Sequence, residues 1–245
     1  MSSLNLDGMK TTNQEDLAAT NIWPFLLPTL ILLIALCTAL LAVPKGDLHL
    51  WLCNHHTPWL DAIIPTYSDL VNWLPYVTIA ALLFYKAGWA TFLASDLLFT
   101  TIIVQPIKHW VHALRPLTWF ADTIPNTTLP LVDGVRMHHW LSFPSGHTTT
   151  FFVLFFTLSL ILSSRIGKTK YFWSFLLFLM AAFGAYSRIY LSQHFALDVF
   201  AGIIIAVLCT LFLYFFYVPK VRNTRFWGWN IRFSKKQQKS ALFLL

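Results

Sequence analysis

At 245 residues the chain is long enough for one large domain or two small ones. Hydrophobic residues make up 57% of it and charged residues only 11%, against roughly 25% charged in a soluble globular protein, which leaves a polytopic membrane protein as the class that fits. The net charge of +7 could suit nucleic acid, but the basic residues sit at the ends of apolar segments and form no reading surface, so no nucleic-acid partner is expected.

Residues 1–21 are polar and carry Asp7, Lys10, Glu15 and Asp16, unlike the short basic start of a cleaved signal peptide. They read as a cytoplasmic N-terminal segment, with the first apolar segment retained as an anchor. A membrane helix needs about 20 mostly apolar residues, and such spans are predicted near 22–43, 68–85, 87–107, 148–164, 171–187 and 196–218. The second is interrupted by Asn72 and Pro75. Asp96 lies in the third, about 18 Å along the helix from Lys108 at 1.5 Å per residue, and is expected to be a hydrogen-bonded packing residue. The interval 117–143 contains Pro125, Pro130 and Gly134 with no sustained period and reads as a loop. Cys37, Cys53 and Cys209 form no CxxC pair, so neither a disulfide framework nor a zinc site is indicated.

The predicted fold is an all-α integral membrane protein, a six-transmembrane-helix bundle over 22–218, followed by a basic aromatic tail over 219–245. Six spans leave both termini on one side. The tail holds Lys220, Arg222, Arg225, Arg232, Lys235, Lys236 and Lys239, which places that side in the cytoplasm. Lys86, Arg165, Lys168, Lys170 and Lys10 join them, giving twelve of the seventeen basic residues inside. The outside keeps Lys45, Lys108, Arg115, Arg136 and Arg188. The tail is expected to lie on the cytoplasmic surface against anionic lipid.

Most of those outer cations fall in short strings on one face. In "KHWVHALRP" (108–116), Lys108 and Arg115 are seven residues, or two helical turns, apart and are expected on one side of a helix that Pro116 ends. In "PSGH" (144–147), Ser145 is a good N-cap and Gly146 permits close approach to the backbone. The free N–H groups of span four would then form an oxyanion seat. In "SRIYLSQHFALD" (187–198), His194 and Asp198 at i and i+4 share a helical face, so the carboxylate can take one imidazole proton and free the other nitrogen to attack. Arg188 adds a fork-shaped donor for phosphate oxygens. Alone, the strings suit an interfacial flank, a capped helix start and a structural His–Asp pair. Together on one surface they describe a phosphate site.

The pattern K-x6-R-P, then P-S-G-H, then S-R-x5-H-x3-D resembles the three-part signature of the type 2 phosphatidic acid phosphatase superfamily, with no signature position missing. The resemblance implies that His194 attacks phosphorus to form a phosphohistidine and that Asp198 orients it. It gives His147 proton donation to the leaving oxygen and later activation of water. Lys108, Arg115, Arg188 and the Ser145–Gly146 turn would hold the phosphoryl oxygens, so neither a metal nor another cofactor is expected. Carboxylates that could complete a hard-metal site are in any case sparse. His138 and His139 read as solvated loop residues; Arg136 and Asp133 share their loop, within reach of a head group.

Relatives in the bacterial membrane branch act on undecaprenyl diphosphate, phosphatidylglycerophosphate, phosphatidic acid or lipid A phosphates. A short chain with an outward site ranks undecaprenyl diphosphate first and lipid A phosphate next. The implied location is a bacterial inner membrane, with the site facing the periplasm or exterior and membrane lipids as partners. A phosphotransferase using the same histidine and a non-enzymatic anionic-lipid transporter stay open as alternatives. The superfamily's haloperoxidase branch is soluble and fits less well.

Overall fold

The computed structural model describes residues 21–163, 169–224 and 226–231. The segment 1–20, with Arg165, Lys168, Arg225, Arg232, Lys235, Lys236 and Lys239, lies outside the described residues. Among those described there is helix and no strand. In chain order the helices are α1 (Trp23–Ala42), α2 (Lys45–Cys53), α3 (Pro58–Asp69), a 3-10 turn (Leu70–Asn72), α4 (Leu74–Tyr85), α5 (Ala87–Val111), α6 (Pro116–Thr123), α7 (Gly146–Ser163), α8 (Lys170–Tyr190), α9 (Ala196–Phe216) and α10 (Val218–Val221).

Among the described residues five segments, those of α1, α5, α7, α8 and α9, are long and apolar enough to cross a membrane. The span predicted over 68–85 is found instead as the 12-residue α4 behind the 3-10 turn. Trp73 leaves helical geometry (φ −134°), and Pro75, which lacks an N–H, restarts the helix in its first turn. At 1.5 Å per residue α4 is about 18 Å long, short of a hydrocarbon core about 30 Å thick. The interval read as a loop begins with a helix, α6, which Pro116 opens and the buried Phe120 anchors. Its periodicity runs for barely two turns, too short to stand out in the sequence.

α7 is the central helix, packed against α8, α9 and α5. Phe151, Phe152, Phe155 and Phe156 on it are all buried. Phe25 of α1 stacks on Phe156 at 4.8 Å between centroids and meets Phe152 edge-on. Lipid-side residues such as Ile31, Ile34 and Leu208 stay exposed, as expected of helices apolar all round. The ring of Phe151 lies flat on α8 at Gly184, where a Cβ would stand 2.5 Å from Cδ2.

The tail does not lie free over residues 226–231. The N–H groups of Ala87 and Gly88, at the start of α5, donate to the carbonyls of Trp229 (2.7 Å) and Trp227 (3.1 Å), and Ile231 N–H donates to Leu83 O. Trp227 is buried on Trp89. Over these six residues the aromatic tail also serves as a cap that satisfies orphan donors of a helix start, while Phe226 and Trp229 stay exposed. Asp96, fully buried in α5, accepts a hydrogen bond from Thr210 of α9 at 2.6 Å, tying two helices together below the site.

Because Phe151 occupies the space a side chain would need, Gly184→Leu should destabilise the bundle by about 1–3 kcal/mol. Thermal unfolding of the detergent-solubilised chain measures it, and an unchanged midpoint would contradict this packing.

Candidate active site

The outer strings meet at one end of the bundle, where α5 ends, α7 begins, α8 ends and α9 begins. A strap over residues 139–145 draws these ends together through backbone bonds. Arg115 N–H donates to His139 O (2.9 Å), Ser142 N–H to Ala113 O (3.0 Å) and Ser145 N–H to Asp198 O (2.9 Å). Gly202 lets α9 press against the strap, since a Cβ there would stand 2.7 Å from the Ser145 carbonyl oxygen.

Lys108 and Arg115 do not share a helical face. α5 stops at Val111, His112 takes a left-handed conformation (φ 47°), and Arg115 is extended at ψ 161°. The residue before a proline is driven out of the α region, and Pro116 enforces that here. The two cations nevertheless converge. Lys108 Nζ donates to Leu141 O (2.7 Å), while Arg115 donates from Nε to Trp140 O (2.9 Å) and from Nη1 to Gln193 Oε1 (2.9 Å).

His194 and Asp198 likewise share no helical face, because α9 starts only at Ala196. His194 sits in the Leu191–Phe195 loop, whose Gln193 and His194 N–H groups both donate to the carbonyl of Arg188. Asp198 is in the first turn of α9 and reaches back to accept the Phe195 N–H at 2.9 Å, the carboxylate half of a capping box. That reach brings its Oδ2 to 3.5 Å from His194 Nδ1. The closest partner of Asp198 is the Ser142 hydroxyl, which donates at 2.5 Å and lies 3.4 Å from the same imidazole nitrogen. The expected pair is therefore a group of three, bridged by a strap residue.

A cavity of about 250 Å³ is lined by Lys108, Arg115, Gly146, His147 and His194, with Thr100, Val104 and Thr150 along α5 and α7. With Nδ1 turned to Asp198 and Ser142, His194 presents Nε2 to it. Arg115 and His147 also line a second cavity of about 420 Å³, where Arg188 is found. Arg188 donates to the Ser68 hydroxyl at 2.6 Å, and its buried Nε has no hydrogen-bond partner. Ser145 lines neither space. Its buried hydroxyl caps α7, accepting from the Thr148 hydroxyl (2.9 Å) and N–H (3.4 Å). Gly146 is different: a Cβ there would meet nothing closer than Lys108 Cε at 3.8 Å, so the space it leaves faces the cavity.

Burial, and then the charges of Arg115, Lys108 and Arg188, hold the His194 imidazole well below its usual pKa of 6.5. The imidazole is neutral near pH 7, the form with a lone pair to donate. Behind the loop, His49 of α2 hydrogen-bonds Ser192 at 3.2 Å, and burial lowers its pKa to about 4. Among the described residues no group of three or more His, Cys, Asp or Glu side chains could hold a metal ion.

Sequence reasoning missed Ser142, Ser68, Gln193 and Gly202. Ser142 and Gln193 lie within or beside the motif strings, which was the one available signal. Ser68 and Gly202 carry none, since their roles come from helices packed across the site.

Among proteins of known sequence, the chain is 37% identical over 98 residues to the bacitracin transport permease protein BcrC of Bacillus licheniformis. That stretch is 40% of this chain and 44% of the relative, so the chain spans less than half the length of the curated relative it matches. Among solved structures it resembles Aquifex aeolicus LpxE, with 26% identity and a TM-score of 0.55, over 68% of this chain and 92% of that one. It also shares the fold of a transmembrane PAP2-type phosphatidylglycerolphosphate phosphatase from Bacillus subtilis, at 22% identity and a TM-score of 0.57, over 82% and 96% of the two chains. The model of the PAP2 superfamily matches residues 89–222, more than half of the chain and all three motif strings, and the chain therefore belongs to the PAP2 superfamily.

Proposed function

We propose that the protein is a lipid phosphate phosphatase that works through a phosphohistidine on His194. The observation that carries this reading is a neutral, buried imidazole facing one cavity with Lys108, Arg115, Gly146 and His147, and with Asp198 Oδ2 3.5 Å behind its other nitrogen. Such a hollow suits a phosphoryl group, whose transfer depends on positioning and on stabilising charge over the equatorial oxygens. Lys108, Arg115 and Arg188 supply positive charge, and the N–H groups at the start of α7 supply the positive end of a helix dipole.

In the first step His194 Nε2 attacks phosphorus. The bond from phosphorus to the lipid oxygen breaks, its electron pair leaves on that oxygen, and His147 supplies the proton. Positive charge growing on the imidazole is met by Asp198, directly and through Ser142. In the second step His147 takes a proton from water, the water oxygen attacks phosphorus, and inorganic phosphate leaves with His194 restored.

The topology follows the same reading. The α3–α4 stretch supplies the second of six crossings, both termini lie in the cytoplasm, and the site opens on the extracytoplasmic side of a bacterial inner membrane. The charge asymmetry of the sequence supports this. The lipid tail stays among helices and lipid while its phosphate enters the cation cluster. A detergent assay of phosphate release from undecaprenyl diphosphate, lipid A phosphate, phosphatidylglycerophosphate and phosphatidic acid identifies the lipid. Labelled acceptor lipids in the same assay would expose a transferase.

His194→Ala should lower phosphate release roughly 10³-fold or more on every substrate that the wild type hydrolyses. A carrier of anionic lipid would keep binding and moving its cargo after that change, so an active His194→Ala protein removes the phosphohistidine. Turnover should persist in excess chelator, and its loss there would point to a metal.

Gly146→Ala should fold with an unchanged melting temperature, because the packing has room for the methyl. That methyl would stand where the oxyanion approaches the backbone, so inhibition by inorganic phosphate should weaken about tenfold or more.

The pH profile tests the electrostatics. The neutral imidazole is the nucleophile and its pKa is depressed, so kcat/KM should hold as pH falls through 6.5 and decline only well below it. Lys108→Met removes one of the depressing charges and should move that acid limb upward. A limb that stays put would mean the charge does not reach His194.

A further inference from the structure

The second cavity is larger than the first and shares only Arg115 and His147 with it. Beyond Arg188, its cations come from the 133–138 loop, which contributes Arg136 and His138. Asp69 is the one carboxylate among its lining residues, set against three guanidiniums, and Pro65, Val135 and Leu191 supply apolar wall. Gln193 braces this loop, donating from Nε2 to Arg136 O at 3.1 Å while its side-chain oxygen accepts from Arg115. Burial and then the charges of Arg115, Arg136 and Arg188 lower the pKa of His138, which places its ring inside the field of all three. The unpartnered Nε of Arg188, itself buried, remains available at the same wall.

In-line displacement puts the leaving group opposite the attacking nitrogen. His194 lines the first cavity alone, whereas His147 lines both. A group leaving phosphorus away from His194 therefore passes His147 into the second cavity. A lipid that departs as a neutral alcohol would need a proton there and little else. A surplus of fixed positive charge suits a leaving group that is itself anionic.

We propose that the second cavity is the leaving-group subsite for the diphosphate substrates already ranked first, with Arg136 and His138 as its specificity-determining residues. The proposal rests on the phosphatase reading above. The terminal phosphoryl group sits against Lys108, Gly146 and His194, and the inner phosphate against Arg188, Arg136 and His138. His194 Nε2 bonds to the terminal phosphorus as the bond to the bridging oxygen breaks. The electron pair stays on that oxygen, now part of a lipid monophosphate, whose added charge the guanidiniums stabilise. Water then releases inorganic phosphate from His194.

Two measurements on the purified full chain test it. Titration calorimetry with methylenediphosphonate and with inorganic phosphate reads binding without turnover. The diphosphonate should bind at least about tenfold more tightly, the factor expected when an anion gains one or two charge-assisted hydrogen bonds. Arg136→Ala, at an exposed loop position that perturbs no core, should remove most of that preference, and His138→Ala part of it. In turnover, Arg136→Ala should lower kcat/KM for a prenyl diphosphate about tenfold more than for the monophosphate of the same prenyl chain. Equal affinity for the two anions, or a preference untouched by Arg136→Ala, overturns the subsite. A diphosphonate preference that depends on Arg136, in a protein that releases phosphate from no lipid, upholds the subsite and overturns the phosphatase reading instead.

Discussion

Holding three cations at one buried end of a bundle is the constraint on which the rest of this structure depends. Lys108 and Arg188 are buried, and Arg115 is half-buried beside them. Like charges repel more strongly there than in water, and salt screens them less. Among the described residues none of the three has a carboxylate within 4 Å; the cations are held instead by neutral oxygens, the carbonyls of Leu141, Trp140 and Gln193 and the hydroxyl of Ser68. Carbonyl dipoles orient a cation without cancelling its charge. The hollow therefore keeps a positive field, which an incoming dianion such as the proposed phosphoryl group would relieve.

That constraint explains the strap over residues 139–145. Four helix ends cannot reach one point through their own backbones, since each helix is about 10 Å wide. The strap takes bonds from Lys108 and Arg115 and gives bonds to Ala113 and Asp198, so a single irregular segment carries the positions of both motif cations and of the α7 start. Broken helices serve the same end elsewhere. The interruption between α3 and α4 sets Ser68 and Asp69 beside Arg188, where an unbroken span would present only a lipid-facing surface.

Most of the architecture was legible in the sequence because its signals are local. Long apolar runs marked five helices to within four residues at each end, and three spaced strings marked the groups that meet at the cavities. What failed was regularity assumed across a break. Lys108 and Arg115 were placed on one helix by counting turns, and His194 and Asp198 by the same arithmetic, yet both intervals contain a helix terminus. Pro116 was visible as a stop, but the left-handed His112 was not, because histidine, though it takes that conformation more often than most residues, marks it far less clearly than glycine does. Ser145 caps α7 as its sequence predicts, and a serine that caps a helix uses its hydroxyl on that helix, leaving the backbone of its neighbour Gly146 to face the cavity. Ser68 and Gly202 were invisible, since each acts through a helix distant in the chain.

Asp198 shows how closely folding and chemistry are joined here. One carboxylate oxygen accepts the Phe195 N–H at the start of α9, holds the Ser142 hydroxyl of the strap and stands behind the His194 imidazole. The cap fixes where the carboxylate lies, the serine fixes where the strap lies, and both fix the nitrogen that faces away from them. Lys45 of α2 completes this support from outside, its ammonium 3.9 Å from the centroid of the Phe195 ring, so that the residue capped by Asp198 is also clamped from above. The imidazole needs no hydrogen bond from the cavity side to stay oriented. Its nitrogen on the cavity side could therefore meet phosphorus in the proposed reaction without first giving up a partner, which is the geometric condition for a buried histidine to act as a nucleophile.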